Sequence, residues 1–299
     1  MKINKRIGII GKGFVGSAVQ FGFSPSVGVD AEVKVYDKDP NKSTHTLQEV
    51  VLGSDIIFLS VPTPSNKDGS INLDIVESIL SEINEIYVRP RSKYAKISTG
   101  NNIILLRSTV IPGTTRKLQQ KYPKLRIVFN PEFLTERAAN FDFINQSRFV
   151  VGGDPADVVE VSELFRKRFG KSMSIIDTNS ETAELIKYMT NTFFATKISF
   201  LNDMKLLSDK CGAIWEHAVE GFVRDGRVGH SHLDVPGPDG KYGFGGSCFP
   251  KDIQAIINFS KELDIDMSVL RGVWETNLKV RPERDWEKLK GRAVIDENN

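Results

Sequence analysis

Residues 6–16 read Arg-Ile-Gly-Ile-Ile-Gly-Lys-Gly-Phe-Val-Gly. The run Arg6–Gly11 is short and apolar, which predicts a buried strand. Gly11, Gly13 and Gly16 follow with G-x-G-x-x-G spacing and lead into a helix-like stretch that opens with Phe14 and Val15. A second strand is expected at Glu32–Asp37, ending in an acid 21 residues after Gly16. Strand, glycine turn, helix, strand and terminal acid together form the context a dinucleotide-binding turn requires. Gly11 would allow the tight turn. Gly13 would let a pyrophosphate approach the helix N-terminus, and Gly16 would let helix and strand pack closely. Asp37 would accept hydrogen bonds from the adenosine ribose, which favours NAD over NADP, although Lys38 beside it would tolerate a 2′-phosphate. The expected cofactor contacts here are Gly11, Gly13, Phe14, Val15, Gly16, Asp37 and Lys38.

Beyond this unit, strands keep alternating with helical stretches. Strands are expected at Asp55–Val61, Ile103–Val110, Arg126–Phe129, Arg148–Gly153 and Ser172–Asp177, with a helix over Leu73–Val88. This alternation predicts an α/β fold: a Rossmann-like, doubly wound, mostly parallel sheet. Ligands on such sheets sit beyond the strand C-termini. Pro62 and Thr63, Thr109, and Glu132 fall at such ends and should face the cofactor. Thr63 and Thr109 would serve equally well as turn caps.

The sheet domain should end near Thr178, giving an NAD-binding domain at 1–178 and a helical domain at 179–299. Thr178 and Glu181 have capping-box spacing. A helix should then run to Cys211 and stop at Gly212. At 1.5 Å per residue it would span roughly 50 Å. Its apolar residues cover more than one face, as in a domain spine or dimer interface. Lys187 and Asn191, four apart, share a face and interrupt that pattern. They are either a solvated face or polar groups that must find partners. Further helices are expected at 215–223, about 250–263 and 267–290.

The stretch Gly243–Asp252 (Gly-Phe-Gly-Gly-Ser-Cys-Phe-Pro-Lys-Asp) carries one of only two cysteines. Its glycines allow sharp turns and close approach to a ligand. Pro250 suits a first helical turn, which places Cys248 at a helix start where backbone dipoles favour the thiolate. The bland reading, a glycine-rich turn with a small buried cysteine, stands beside the nucleophile.

Composition excludes several classes. The 299 residues are 40% hydrophobic and 26% charged with net charge +2, which offers no basic excess for nucleic acid. No apolar run is long enough to span a bilayer. The first strand begins within six residues, which leaves no room for a signal peptide. Cys211 and Cys248 are too few and too distant for a disulfide framework, so a reducing, cytoplasmic setting is expected. His217, His230 and His232 lack zinc-ligand spacing, and no metal is expected.

The chain resembles the UDP-glucose/GDP-mannose dehydrogenase family over about residues 6–285. The resemblance rests on Gly11–Gly16, Val61–Pro64, Arg107–Val110, Asn130–Glu136, Glu184–Tyr188 with Asn191, Asp225–Gly229 and Gly243–Asp252. It implies NAD-dependent, four-electron oxidation of a sugar 6-hydroxymethyl group to a carboxylate, with UDP-glucose as substrate. Cys248 would trap the aldehyde, and a thioester would later be hydrolysed. Lys187 and Asn191 would stabilise the oxyanion, and Asp252 would position or activate water. Glu136 matches a general base, Thr109 a residue with a water role, and Glu132 a residue near the nicotinamide. Glu132, Phe133, Leu134, Lys187, Asn191, Arg227, Phe244, Gly245 and Gly246 are the implied nucleotide-sugar contacts. The long apolar helix itself leads us to expect a homodimer through residues 179–211.

Two departures stand out. Thr135 occupies a position where the family usually has Arg. Family members also continue into a further nucleotide-binding domain; here Leu289–Val294 resembles the approach to its first strand, and the sequence stops five residues later. GDP-mannose or a UDP-N-acetylhexosamine are alternative substrates. A catalytically silent NAD- or nucleotide-sugar-binding protein is the alternative from another class.

Overall fold

In the computed structural model, which describes residues 1–88 and 102–296, the first apolar run becomes the centre of a seven-stranded sheet. The strands are β1 (Ile7–Ile10), β2 (Val33–Tyr36), β3 (Ile56–Leu59), β4 (Ile103–Leu106), β5 (Arg126–Phe129), β6 (Arg148–Gly152) and β7 (Ser174–Thr178). Their order is β2-β1-β3-β4-β5-β6-β7, and every pairing is parallel except β5 with β6. The direction of winding reverses between β1 and β3, the point at which open α/β sheets bind ligands.

The helices are α1 (Phe14–Gly22), α2 (Leu47–Gly53), α3 (Asp74–Val88), α4 (Thr114–Lys121), α5 (Ala139–Ile144), α6 (Pro155–Phe169), α7 (Ser180–Cys211), α8 (Trp215–Val223), α9 (Phe249–Glu262) and α10 (Ser268–Val280). β1, β3 and β4 are buried at every residue, because helices cover both faces of the sheet. Alternate residues go to opposite faces. Ile7, Ile9, Ile56, Phe58, Ile103 and Leu105 join the core beneath α1, α5 and α6. Ile10, Ile57, Leu59, Ile104 and Leu106 join the core beneath α2, α3, α4 and the first turns of α7. Phenylalanines fill much of the first core, with Phe149 and Phe165 stacked at 4.1 Å and 14°.

The chain divides into two compact units: Met1–Thr63 with Leu73–Lys187, and Pro64–Asn72 with Tyr188–Asn299. The division falls inside α7 rather than at its start. In the second unit, Leu201, Leu233 and Val235 pack with Trp215, Val219 and Tyr242. Phe244, Phe249, Trp274 and Trp286 form an aromatic group. Ser65 pairs with this unit's last turn, donating N–H to the Ala293 carbonyl at 3.0 Å and accepting from Ile295 at 2.9 Å.

Three local expectations change. Thr178 does not cap α7, because it ends β7 opposite Gly152. Asn179 caps instead, its Oδ1 accepting the Thr182 N–H at 2.9 Å. The expected helix at 267–290 stops at Val280, since Pro282 disfavours helical backbone at Arg281. The strands expected at Asp55–Val61 and Ile103–Val110 leave the ladder at Leu59 and Leu106, where side chains take over the bonding. Ser108 Oγ donates to the Val61 carbonyl at 2.6 Å, and Thr63 Oγ1 donates to the Thr109 carbonyl at 2.8 Å.

Glu184, buried on the first turns of α7, closes the start of α4. Its two carboxylate oxygens accept N–H bonds from Gly113 at 2.6 Å and Thr115 at 2.8 Å. These amides belong to the first turn of α4, which has no intrahelical acceptor for them. Burial pushes the Glu184 carboxyl up to about 7, against the pull of its bonds to Thr115 and Gly113. The folded state therefore holds this proton more tightly than the unfolded chain does. That contribution to stability is whole below the ordinary carboxylate range and is lost as pH rises through about 7. The urea midpoint should fall between about pH 5 and pH 8, and Glu184→Gln should flatten that decline. An unchanged slope in the variant would assign it to another group.

Candidate active site

The first unit carries the expected cofactor residues at the C-terminal end of β1. Gly11 has φ +88°, and a Cβ there would lie 2.6 Å from the Ser60 carbonyl oxygen. A Cβ on Gly16 would run into the Gly11 carbonyl, so this position needs glycine for helix–strand packing. Gly13 is the N-cap of α1, offers no side-chain cap, and has open space where a Cβ would point. The first turn of α1 also holds no acidic residue. An anion would meet uncapped N–H groups there, which fits a pyrophosphate. At the end of β2, Asp37 accepts from Lys12 N–H at 2.6 Å and from Asp39 N–H at 2.9 Å. A carboxylate has about four acceptor sites, so room for ribose hydroxyls remains. Lys38 is exposed. These residues fit NAD.

Beyond β5, a buried ion pair forms. Lys187 Nζ donates to the Glu132 carboxylate at 2.8 Å and to the Glu132 carbonyl at 2.6 Å. The second Glu132 oxygen accepts the Leu134 N–H at 2.8 Å. Both side chains are under 10% exposed. Removing either partner of such a pair costs about 3–5 kcal/mol. Phe133 lies beneath two cations, with Arg148 at 4.2 Å and Lys187 at 5.6 Å from its ring centre. Leu134 points into the core. Glu136 is exposed in a short 3-10 turn, and Thr109 is half-buried beside the Thr63 bond.

Arg107, fully buried at the end of β4, packs against the rings of Phe58 and Phe143. It donates to Asn130 Oδ1, while its Nε and Nη2 have no hydrogen-bond partner. Burial pushes its pKa down to about 10, and the charge of Glu132 opposes that fall.

The second unit carries the thiol. Cys248 is the N-cap residue of α9, half-buried, with Sγ 3.8 Å from Ser247 Oγ. One turn on, the fully buried Asp252 carboxylate is held on both oxygens. Lys251 Nζ donates to Oδ1 and Asn191 Nδ2 donates to Oδ2, each at 2.6 Å. Asn191 follows Lys187 by one turn of the uninterrupted α7.

The loop before Cys248 is clamped. Phe244 donates N–H to Asn277 Oδ1 at 2.7 Å and accepts from Asn277 Nδ2 at 3.0 Å. Gly243 donates N–H to Asn202 Oδ1 at 3.0 Å. The Phe244 ring is buried beside Phe249 and Trp274, so this side chain belongs to the unit's core. Gly245 lies against the Arg281 guanidinium, whereas Gly246, at φ +72°, faces open space. Arg227 is exposed and pairs with Asp225, at 2.8 Å from Nε and 2.5 Å from Nη2. The neighbouring turn hangs on Lys197, whose Nζ donates to the carbonyls of Gly229 at 2.9 Å and Ser231 at 2.6 Å.

Several of these groups carried no role in the sequence reading. Glu184, Arg107 and Lys251 stand inside quoted motifs, while Asn202, Asn277 and Arg281 do not. Asn277 did leave a signal: with Leu270 and Val273 it occupies the buried stripe of α10, where the period asks for an apolar residue.

Two family models match the chain. The NAD binding domain of the UDP-glucose/GDP-mannose dehydrogenase family matches residues 41–169, and its central domain matches residues 181–279. UDP-glucose 6-dehydrogenase TuaD of Bacillus subtilis is 35% identical over 245 residues, covering 80% of this chain and 49% of its own length. The UDP-glucose 6-dehydrogenase of Rickettsia prowazekii is 35% identical over 278 residues, covering 86% of this chain and 58% of its own. The chain thus spans about half the length of the curated relatives it matches. Among solved structures, a UDP-glucose dehydrogenase from Pyrobaculum islandicum superposes with a TM-score of 0.77 at 26% identity, covering 92% of this chain and 68% of that one. With its Rossmann-type sheet, its fingerprint suited to NAD and matches to both domain models, the chain belongs to the UDP-glucose/GDP-mannose dehydrogenase family.

Proposed function

We propose that the protein oxidises the 6-hydroxymethyl group of a nucleotide-sugar to a carboxylate, with UDP-glucose as the first candidate. The observation that carries this reading is Cys248, a thiol at the start of α9 on a glycine-rich loop, one turn before an anchored buried carboxylate. A one-step alcohol oxidation needs no thiol, whereas a two-step oxidation gains from holding its aldehyde covalently. NAD, when bound in the first unit, accepts the hydrides that the oxidations release.

The chain's own residues take the remaining roles. The N-terminus of α9 favours the Cys248 thiolate, which adds to the aldehyde and later becomes the acyl carrier of a thioester. Lys187 and Asn191 supply hydrogen-bond donors to the developing oxyanion. Each is preorganised by a carboxylate, Glu132 for Lys187 and Asp252 for Asn191, which limits the reorganisation needed during reaction. Asp252 and Thr109 order water, and Glu136 accepts its proton during thioester hydrolysis. Phe133, Arg227 and the backbone at Gly245–Gly246 are the proposed nucleotide-sugar contacts. Leu134 and Phe244 would act through their backbone, since their side chains are buried. The first unit is the proposed NAD-binding domain and the second the proposed substrate and assembly domain.

α7 also exposes Leu185, Met189, Phe193, Phe200, Met204 and Leu207, with Phe193 at 64% exposure. A stripe of this kind marks an association surface, and we propose a homodimer through it. Both cysteines stand as thiols, in keeping with a reducing, cytoplasmic setting. Among the described residues, no helix is long and apolar enough to cross a membrane.

Three measurements test this reading. UDP-glucose oxidation should yield two NADH per sugar with UDP-glucuronate as product. Turnover only with GDP-mannose or a UDP-N-acetylhexosamine would move the substrate, and none with any sugar despite NAD binding would leave a silent binder. Cys248→Ser should abolish carboxylate formation while leaving NAD affinity within about twofold, since the thiol lies outside the cofactor unit. Full glucuronate formation by that variant would remove Cys248 from the mechanism. Light scattering at micromolar concentration should return twice the chain mass, and Phe193→Asp should halve it; a monomeric parent would refute the dimer.

A further inference from the structure

We propose that Asn277, assisted by Arg281, is a positioning residue for Cys248. The proposal rests on the nucleophilic role assigned to Cys248 above. Asn277 is wholly buried, and both ends of its carboxamide are committed to the backbone of Phe244. An apolar residue there would complete the stripe with Leu270 and Val273. It would also leave a buried N–H and a buried C=O without partners. The amide thus stands in for a neighbouring strand and holds an irregular loop in one conformation.

The glycines before Cys248 fit this clamp. A Cβ on Gly243 would collide with Asn277 Oδ1, and one on Gly245 with the Arg281 guanidinium. These two glycines make room for side chains of α10 and for the residue that follows it. Gly246, with open space at its Cβ position, remains the one suited to a ligand. Gly243, at φ +67°, is further fixed by Asn202 from α7.

Arg281 is itself immobilised. Asp285 accepts from its Nε at 2.9 Å and Nη2 at 2.7 Å, and Asp239 accepts from Nη2 at 2.7 Å. Asp239 belongs to the turn closed by the Gly237 N–H on the Lys241 carbonyl at 2.7 Å. Arg281 therefore holds that turn while its guanidinium fills the space beside Gly245. From Gly245, three residues lead to Cys248, and the Phe244 ring packs edge-on against Phe249 at 6.2 Å. Displacing Phe244 moves the residue next to the thiol, and with it the alignment of Sγ on the first turn of α9.

The test uses the full chain with Cys211→Ser, which removes the only other thiol, an exposed one. The variants are Asn277→Asp, which keeps the acceptor for Phe244 N–H but loses the donor to its carbonyl, and Arg281→Lys, which keeps the charge but loses the fork. Cys248 alkylation by iodoacetamide is followed against pH, with kcat and KM measured for NAD and the sugar. Asn277→Asp should move the alkylation midpoint by more than about half a pH unit and lower kcat about tenfold or more. KM for NAD should stay within about twofold, as expected of a misplaced nucleophile with an intact cofactor site. Arg281→Lys should shift the midpoint in the same direction. An alkylation profile identical to the parent's in folded Asn277→Asp, or in Arg281→Lys if the first variant does not fold, overturns the proposal. A parent without turnover on any sugar counts against the proposed reaction, and the alkylation profile still decides the clamp.

Discussion

Lys187 and Glu132 are buried together, and neither tolerates the loss of the other. That requirement fixes much of the cofactor unit. Glu132 must leave the end of β5 with its carbonyl and carboxylate both turned toward one ammonium group, while its second oxygen secures the Leu134 amide. α7 must in turn present Lys187 at a set rotation about its axis. Glu184, three residues earlier, satisfies the opening amides of α4 from that same rotation. An apolar helix with the same propensity would pack on the sheet in several registers. The two buried carboxylates leave it one.

A second constraint operates at the ends of β3 and β4. The chain leaves the sheet there without leaving its hydrogen bonds, because Ser108 and Thr63 replace the ladder with side-chain bonds to the neighbouring strand's exit. The exits therefore stay bonded to each other past the last paired position. Thr109 is carried on this segment, its carbonyl accepting from Thr63 Oγ1.

The sheet was legible because its signals are local. Apolar runs of strand length, a glycine spacing and an acid at the second strand's end each report on a few neighbouring residues, and all seven strands fall where those runs lie. Cys248 at the start of α9 was legible for the same reason, through Pro250 and the preceding glycines. What escaped was decided by partners distant in the chain. Thr178 has the spacing of a cap, but pairing with β6 took it first. The stretch to residue 290 keeps helical composition, yet Pro282 outweighs it. The purpose of Gly243 and Gly245 is invisible without Asn277 and Arg281, which lie more than thirty residues later. Lys187 and Asn191 read as polar intrusions on an apolar helix; that each meets a carboxylate depends on partners distant in the chain, Glu132 after β5 and Asp252 in α9.

Side chains that occupy the space left by a missing Cβ also constrain how this loop can change over evolutionary time. A glycine that faces solvent drifts freely toward alanine or serine. Gly243 and Gly245 cannot, because Asn277 and the Arg281 guanidinium already fill the volume a side chain would take. Arg281 is equally bound to its glycine, since a shorter residue would take the ion pair from Asp239 and leave Asp285 to Lys241 alone. Each position is acceptable only in the company of the other. Lineages carrying this loop should therefore vary at these sites in concert or not at all, and a covarying pair so far apart in sequence would record a contact that neither residue's own neighbourhood betrays.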